Sequence, residues 1–231
     1  MARFRGSLTG KPEGEYQWPI LNGHLFGDQA IGGQHVRVRD EVLPFSWADV
    51  FGCEAPLSLE IGFNRGRFLS ALATRFPAQH FVGIEIRKRY CWRLAHDIAH
   101  GLIPVKNLRI VWADAKAITD TVFGPSALDN IYITFPDPWW KKKHAKRKLV
   151  DTGFADELAT LLRPGGHIWV KTDVADVALE IAQALAGVKT LSTASEFNED
   201  DLPLTHRERN CIAANMPIHR FRVTGQESTE L

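Results

Sequence analysis

From Leu57 onward the chain alternates short apolar runs with stretches whose apolar residues recur every three to four positions. This switch between strand and helix periods limits the possible folds more than any other feature. Leu57–Ile61, Phe81–Glu85, Leu108–Trp112, Leu128–Phe135 and Gly166–Thr172 read as buried strands. Between them, Phe68, Leu69, Leu72 and Phe76 form one helical stripe, and Tyr90, Cys91, Leu94, Ala95 and Ile98 form another. A helix from about Arg147 to Leu162 buries Val150, Phe154, Leu158 and Leu161 and stops at Arg163-Pro-Gly-Gly166; a last stripe runs from Val174 to Leu185. Two more strands are expected near Val188–Leu191 and Pro217–Thr224, separated by a polar loop over 195–210. Strands apolar on both faces must be covered on both faces, and strand–helix–strand connections join parallel neighbours. The expected fold is therefore α/β: a doubly wound, mostly parallel sheet of seven strands.

Residues 1–50 break this pattern. They are rich in Gly, Pro and aromatics and suit either an irregular N-terminal extension packing its rings on the domain or an arm that orders on a partner; Ser46–Phe51 reads as a short helix. The expected organisation is an extension over 1–50 followed by a single catalytic domain over 51–231. With 231 residues, 45% hydrophobic and 24% charged, the chain is long enough for a substantial core and too balanced for disorder. No apolar run approaches a membrane span, and no hydrophobic signal core follows the basic N-terminus. Three scattered cysteines, Cys53, Cys91 and Cys211, form neither a disulfide framework nor a zinc site and point to a reducing, cytoplasmic setting.

In an open α/β sheet, ligands bind at the C-terminal ends of the strands. Gly62 and Gly66 bracket a tight turn after the first strand, but Asn64 and Arg67 occupy the remaining positions of a dinucleotide glycine pattern. Acids stand at successive strand ends: Glu60, Glu85 (nineteen residues after Gly66, where a carboxylate holds a ribose diol) and Asp114. Three carboxylates repel a phosphate and suit S-adenosylmethionine, with its amino acid moiety and sulfonium charge. The fourth strand ends in Phe135-Pro136-Asp137-Pro138, where two prolines restrict the backbone around one acid. Trp139 and Trp140 follow, then six Lys or Arg within 141–148. The formal net charge is only +1, so the rest of the chain carries about −5 and the positive charge is directional.

Leu59-Glu-Ile-Gly62, Gly83-Ile-Glu85, Phe135-Pro-Asp-Pro-Trp139 with its basic run, Lys171-Thr-Asp173 and Thr205-x-x-Glu208 together resemble the bacterial tRNA (guanine-N7)-methyltransferase family over roughly residues 55–225. The resemblance implies a class I S-adenosylmethionine-dependent methyltransferase, its Rossmann-like seven-stranded sheet closing on a last antiparallel strand, acting on guanine 46 of the tRNA variable loop as a monomer or homodimer with no metal. It further implies cofactor contacts at Glu60, Gly62, Glu85, Asp114 and Asp137, with Asp137 as the catalytic acid, and substrate contacts at Lys141, Asp173, Thr205 and Glu208. The chain departs from the family at three places. Asn64 stands for the middle glycine of the cofactor turn, Trp140 for a usual proline, and Arg207 for the aromatic usual before the glutamate.

Guanine N7 carries an in-plane lone pair, so methylation requires alignment rather than proton removal. The guanine N1–H and N2–H₂ edge presents two donors to a carboxylate, for which Asp137, Asp173 and Glu208 are candidates. Two other readings use the same sheet: a non-catalytic RNA-binding module on a methyltransferase scaffold, and an NAD-linked oxidoreductase, against which the incomplete glycine pattern counts. His96 and His100, four apart on a helix, lack a third ligand and read as a solvated pair rather than a metal site.

Overall fold

The structure, a computed structural model, describes residues 46–138 and 148–226, and only the backbone of 25–31, 34–38 and 199. Trp139, Trp140, Lys141 and the basic run through Arg147 lie outside the described residues.

Within the N-terminal segment expected to be irregular, β1 (Leu25–Ile31) and β2 (Gln34–Val38) pair antiparallel as a separate two-stranded sheet. Helix α1 (Trp47–Phe51) follows, its first turn capped by the Ser46 hydroxyl, which accepts from the Asp49 N–H. The main domain then runs β3 (Leu57–Ile61), α2 (Arg67–Arg75), β4 (His80–Glu85), α3 (Lys88–Ala99) and β5 (Leu108–Trp112). A 3₁₀ turn over Ala115–Ala117 leads to α4 (Thr119–Val122), β6 (Leu128–Thr134), α5 (Thr152–Leu161), β7 (Leu162–Thr172) and α6 (Ala175–Ala186). The chain closes with β8 (Ser195–Glu196), a 3₁₀ turn over Glu199–Asp201, α7 (His206–Ala213) and β9 (His219–Thr224).

Seven strands form one sheet in the order β5-β4-β3-β6-β7-β9-β8. The five from β3 to β7 are parallel, and β9 runs antiparallel to both β7 and β8. The doubly wound sheet with its antiparallel last strand is as expected. Period-two alternation divides the core between the faces. Leu59, Ile61, Val82, Ile84, Ile131 and Ile133 pack towards α1, α4, α5 and α6, through Trp47, Val122, Phe154 and Ile181. Phe81, Ile110, Tyr132 and Trp169 pack towards α2 and α3, through Leu69, Leu72, Cys91 and Leu94.

Several expected boundaries are corrected. The stretch 188–191 is no strand: Val188 and Leu191 are buried, but Leu191 makes only an isolated bridge to Gly225, and the edge strand is Ser195–Glu196. Helix α5 starts at Thr152 rather than near Arg147, because the Asp151 carboxylate caps it by accepting from the Phe154 N–H at 3.0 Å. β7 begins at Leu162 rather than Gly166. The supposed polar loop 195–210 contains β8, a 3₁₀ turn and the start of α7.

The chain builds β3, β4 and β5 outwards to one edge and then returns to place β6 on the other side of β3. That reversal between β3 and β6 opens a crevice at the strand C-termini, the place where sheets of this type bind ligands.

Candidate active site

A cleft of about 900 Å³ occupies this crevice. Its walls include Glu60, Gly62, Asn64, Glu85, Asp114 and Asp137, contributed by the ends of β3, β4, β5 and β6, and it is closed on one side by Thr205, His206, Arg207 and Asn210 at the start of α7. The structure thus brings together the five expected cofactor positions and Thr205.

The turn after β3 is shaped by three left-handed residues, Gly62 (φ 75°), Asn64 (φ 52°) and Gly66 (φ 68°). Asparagine tolerates this region at modest cost, which is why it substitutes for glycine here. The Asn64 N–H donates to Glu85 Oε2 and the Arg87 N–H to Glu85 Oε1, each at 2.8 Å, so Glu85 ties two strand ends together. The two glycines differ in what surrounds them. A Cβ on Gly66 would lie 2.3 Å from Leu94 Cδ2, whereas one on Gly62 would meet nothing within 4 Å. Gly66→Ala is therefore expected to destabilise the fold by about 1–3 kcal/mol, read by chemical denaturation. Gly62→Ala is expected to cost only about 1 kcal/mol but to weaken binding of the cleft's ligand by calorimetry. Equal losses of stability at the two sites would contradict this division.

Glu60 is the most unusual group. It is 1% exposed; Oε1 accepts from the Thr134 hydroxyl at 3.0 Å, while no well-formed hydrogen bond reaches Oε2. Burial pushes its carboxyl up to about 8, with the Glu85 charge adding to the effect and Thr134 and Lys171 opposing it. Only the folded chain holds this proton between about pH 4.5 and 8. The associated stability is complete below about 4.5 and is lost as pH rises to about 8, an upper bound on the order of 5 kcal/mol. Denaturation midpoints without ligand should fall across this window, and Glu60→Gln should flatten the fall. A parallel decline in Glu60→Gln would assign it to other groups.

At the end of β6, Phe135 has φ 49°, an outlier for an aromatic residue preceding proline, and its N–H donates to the Lys171 carbonyl at 2.6 Å. The strained turn redirects the chain so that Asp137 stands at the cleft mouth, where Oδ2 accepts from Arg87 Nη2 at 2.8 Å. Asp114 caps the 3₁₀ turn by accepting from the Lys116 N–H at 3.1 Å.

The expected substrate positions separate. Asp173, at the end of β7, has a largely buried side chain held by Arg207 through both Nε (2.9 Å) and Nη2. Thr205 and Glu208 form a reciprocal capping box: the Glu208 N–H donates to Thr205 Oγ1 at 3.0 Å and the Thr205 N–H to Glu208 Oε2 at 2.8 Å. Glu208 is fully buried and also accepts from Lys171 Nζ at 3.0 Å and Arg220 Nε at 3.1 Å. Its expected substrate contact is corrected: both oxygens are engaged inside the protein, so Glu208 fixes α7 and presents nothing to a base. Lys141 lies outside the described residues.

Sequence reasoning missed Arg87 and Arg207. Arg87 was detectable as the first of three basic residues just beyond the Glu85 strand end; Arg207 was detectable as the cation replacing an aromatic. Among the described residues no cluster of His, Cys, Asp or Glu is arranged to hold a metal, and no helix is long and apolar enough to cross a membrane. The His96 and His100 rings stack at 4.0 Å, and His100 Nδ1 bonds the His96 carbonyl.

The chain matches, over residues 54–221, a family described as putative methyltransferases. It is 35% identical to a tRNA (guanine-N(7)-)-methyltransferase of Myxococcus xanthus, over 78% of this chain and 88% of that protein. It is likewise 35% identical to one from Yersinia pestis, over 74% of this chain and 73% of that protein. Among solved structures, an antibiotic-related methyltransferase superposes with a TM-score of 0.56 at 16% identity, covering 80% of this chain and 96% of that one, which supports the fold alone. An open α/β crevice ringed by strand-end acids, joined to this degree of sequence identity, places the chain in the tRNA (guanine-N7)-methyltransferase family.

Proposed function

We propose that this chain transfers a methyl group from S-adenosylmethionine to N7 of guanine 46 in the tRNA variable loop, working in the cytoplasm as a monomer or homodimer. The observation that carries the cofactor part is the buried Glu60 Oε2 on the cleft wall, which no well-formed hydrogen bond reaches and which calls for a cationic or donor group. When bound, S-adenosylmethionine supplies a methyl group activated by a sulfonium, the electrons of the breaking carbon–sulfur bond staying on sulfur.

The residues on the cleft wall divide the binding work. Glu60 faces the positive end of the cofactor, and Gly62 leaves room for its close approach. Glu85, with each oxygen holding one N–H and a lone pair to spare, accepts from ribose hydroxyls, and Asp114 meets the adenine edge. A cation beside Glu60 favours its ionised form, so binding releases a proton and strengthens as pH rises towards about 8. The four acids disfavour a pyrophosphate, which argues against an NAD-linked reading.

On the base side, Asp137 stands at the mouth and Asp173 behind Arg207. Guanine N7 has no proton to lose, so the protein's task is to align the base and to stabilise positive charge appearing on the purine, which a carboxylate at Asp137 does. Lys141 and the following basic residues contact RNA phosphates without reading sequence. The function is tested by incubating the protein with labelled S-adenosylmethionine and unmodified tRNA transcripts carrying G or A at position 46. Incorporation only with G is expected; equal labelling of both would remove this site from the account.

A further inference from the structure

Most cations around the cleft are neutralised by acids. Arg87 pairs with Asp137, Arg207 with Asp173, Lys171 and Arg220 with Glu208, Lys116 with Asp151 and Lys148 with Glu180. Arg65, on the turn between β3 and α2, Arg67, the first residue of α2, and Arg209, in the first turns of α7, are different. All three are exposed, and among the described residues no carboxylate pairs with them. Arg209 Nη1 donates only to the Leu204 carbonyl, at 3.1 Å.

The two elements that carry these arginines are neighbours. Lys171 Nζ lies 5.2 Å from the Phe68 ring of α2 and 3.0 Å from Glu208 of α7, and Arg65, Arg67 and His206 line the same cleft. Burial, then the positive charges of Arg67, Arg209 and Arg65, hold the His206 imidazole below its ordinary value, as expected where cations crowd one another. The N-termini of α2 and α7 add partial positive charge to the same rim.

This rim belongs to the sheet face covered by α2 and α3. Lys148, bound to Glu180 of α6, lies on the opposite face. An RNA strand whose base enters the cleft must continue on both sides of it, so its phosphates need contacts on both faces.

Resting on the tRNA-methyltransferase reading, we infer that Arg65, Arg67 and Arg209 form a second phosphate-binding surface, which holds the RNA strand on the side of the cleft opposite Lys148 and α6. The surface is blind to sequence, because exposed guanidiniums on a rim address phosphate rather than base edges. Like charges held together without acids cost the free protein some stability, and an RNA backbone relieves that repulsion by releasing its counterions.

The test is the salt dependence of binding to an unmodified tRNA transcript. In the Arg65→Ala/Arg67→Ala/Arg209→Ala variant, the slope of log K against log salt should become shallower by roughly 2, from about 0.7 per lost contact to single-stranded RNA. A matched variant removing the same charge at exposed sites at the other end of the strands, Arg75→Ala/Lys106→Ala/Lys189→Ala, should keep the wild-type slope. Melting curves confirm folding; should the triple truncation unsettle the β3–α2 turn, Arg65→Gln/Arg67→Gln reads the same surface with an expected change of about 1.4. An unchanged slope in the rim variants, or an equal change in the matched variant, would overturn the proposal. Failure of the wild-type protein to methylate the transcript would instead count against the function, since the slopes are measured without turnover.

Discussion

Asp137→Ala is expected to reduce methyl transfer to tRNA by on the order of 10²–10³-fold while leaving the melting temperature close to that of the unmodified chain. The carboxylate stands at the cleft mouth and is 60% exposed, so its removal opens no cavity and strands no buried partner. What it does lose is a negative charge held at the cleft mouth between Pro136 and Pro138, beyond the left-handed turn at Phe135. Asp137→Asn keeps the shape and a hydrogen-bond acceptor but not the charge, and should be nearly as impaired if electrostatics dominates. Its Arg87 partner is exposed and can turn to water, so the structural cost of either change is small. Turnover within a few fold of wild type in Asp137→Ala would take this acid out of the reaction.

The largest expected effect on stability is at Glu208. Glu208→Leu removes the acceptor for two cationic contacts, buried Lys171 and part-buried Arg220, and one half of the α7 capping box. Breaking a buried ion pair from one side costs about 3–5 kcal/mol, because the remaining charge stays buried without compensation. Lys171 is only 1% exposed and would keep only the Pro203 carbonyl, at 3.3 Å, so it bears most of this cost. Adding Lys171→Met to Glu208→Leu should therefore recover a large part of the loss, making the pair strongly non-additive in denaturant unfolding. Additive losses in the double variant would mean that Glu208 acts through the cap alone.

How far the sequence disclosed this molecule depended on whether a residue's role coincided with its apolar pattern. The five parallel strands were legible because the sheet buries both of their faces; every residue of β3 is buried. The acids of the cleft were legible because strand ends fix where Glu60, Glu85, Asp114 and Asp137 emerge. Val188–Leu191 misled because its two apolar residues are buried by a turn, while the true edge strand, Ser195–Glu196, is two exposed polar residues with no apolar signal. Thr205-x-x-Glu208 is a capping-box signature that sequence alone can display, yet the same four residues suggested a substrate loop, which concealed helix α7 and the buried role of Glu208. Arg87 and Arg207 escaped because a long charged side chain states nothing about its partner until the fold brings Asp137 and Asp173 within reach.

Asn64 departs from the glycine of the resembled pattern, yet its backbone still takes the left-handed conformation. Its φ of 52° meets the conformational demand usually met by glycine, and its N–H secures Glu85.

The most direct measurement is to map the methylated base after incubating the protein with S-adenosylmethionine and unmodified tRNA, using strand cleavage specific for N7-methylguanosine. A single cleavage at guanine 46 of the variable loop is expected, absent with Asp137→Ala. Methyl incorporation at another atom or another nucleotide would contradict it.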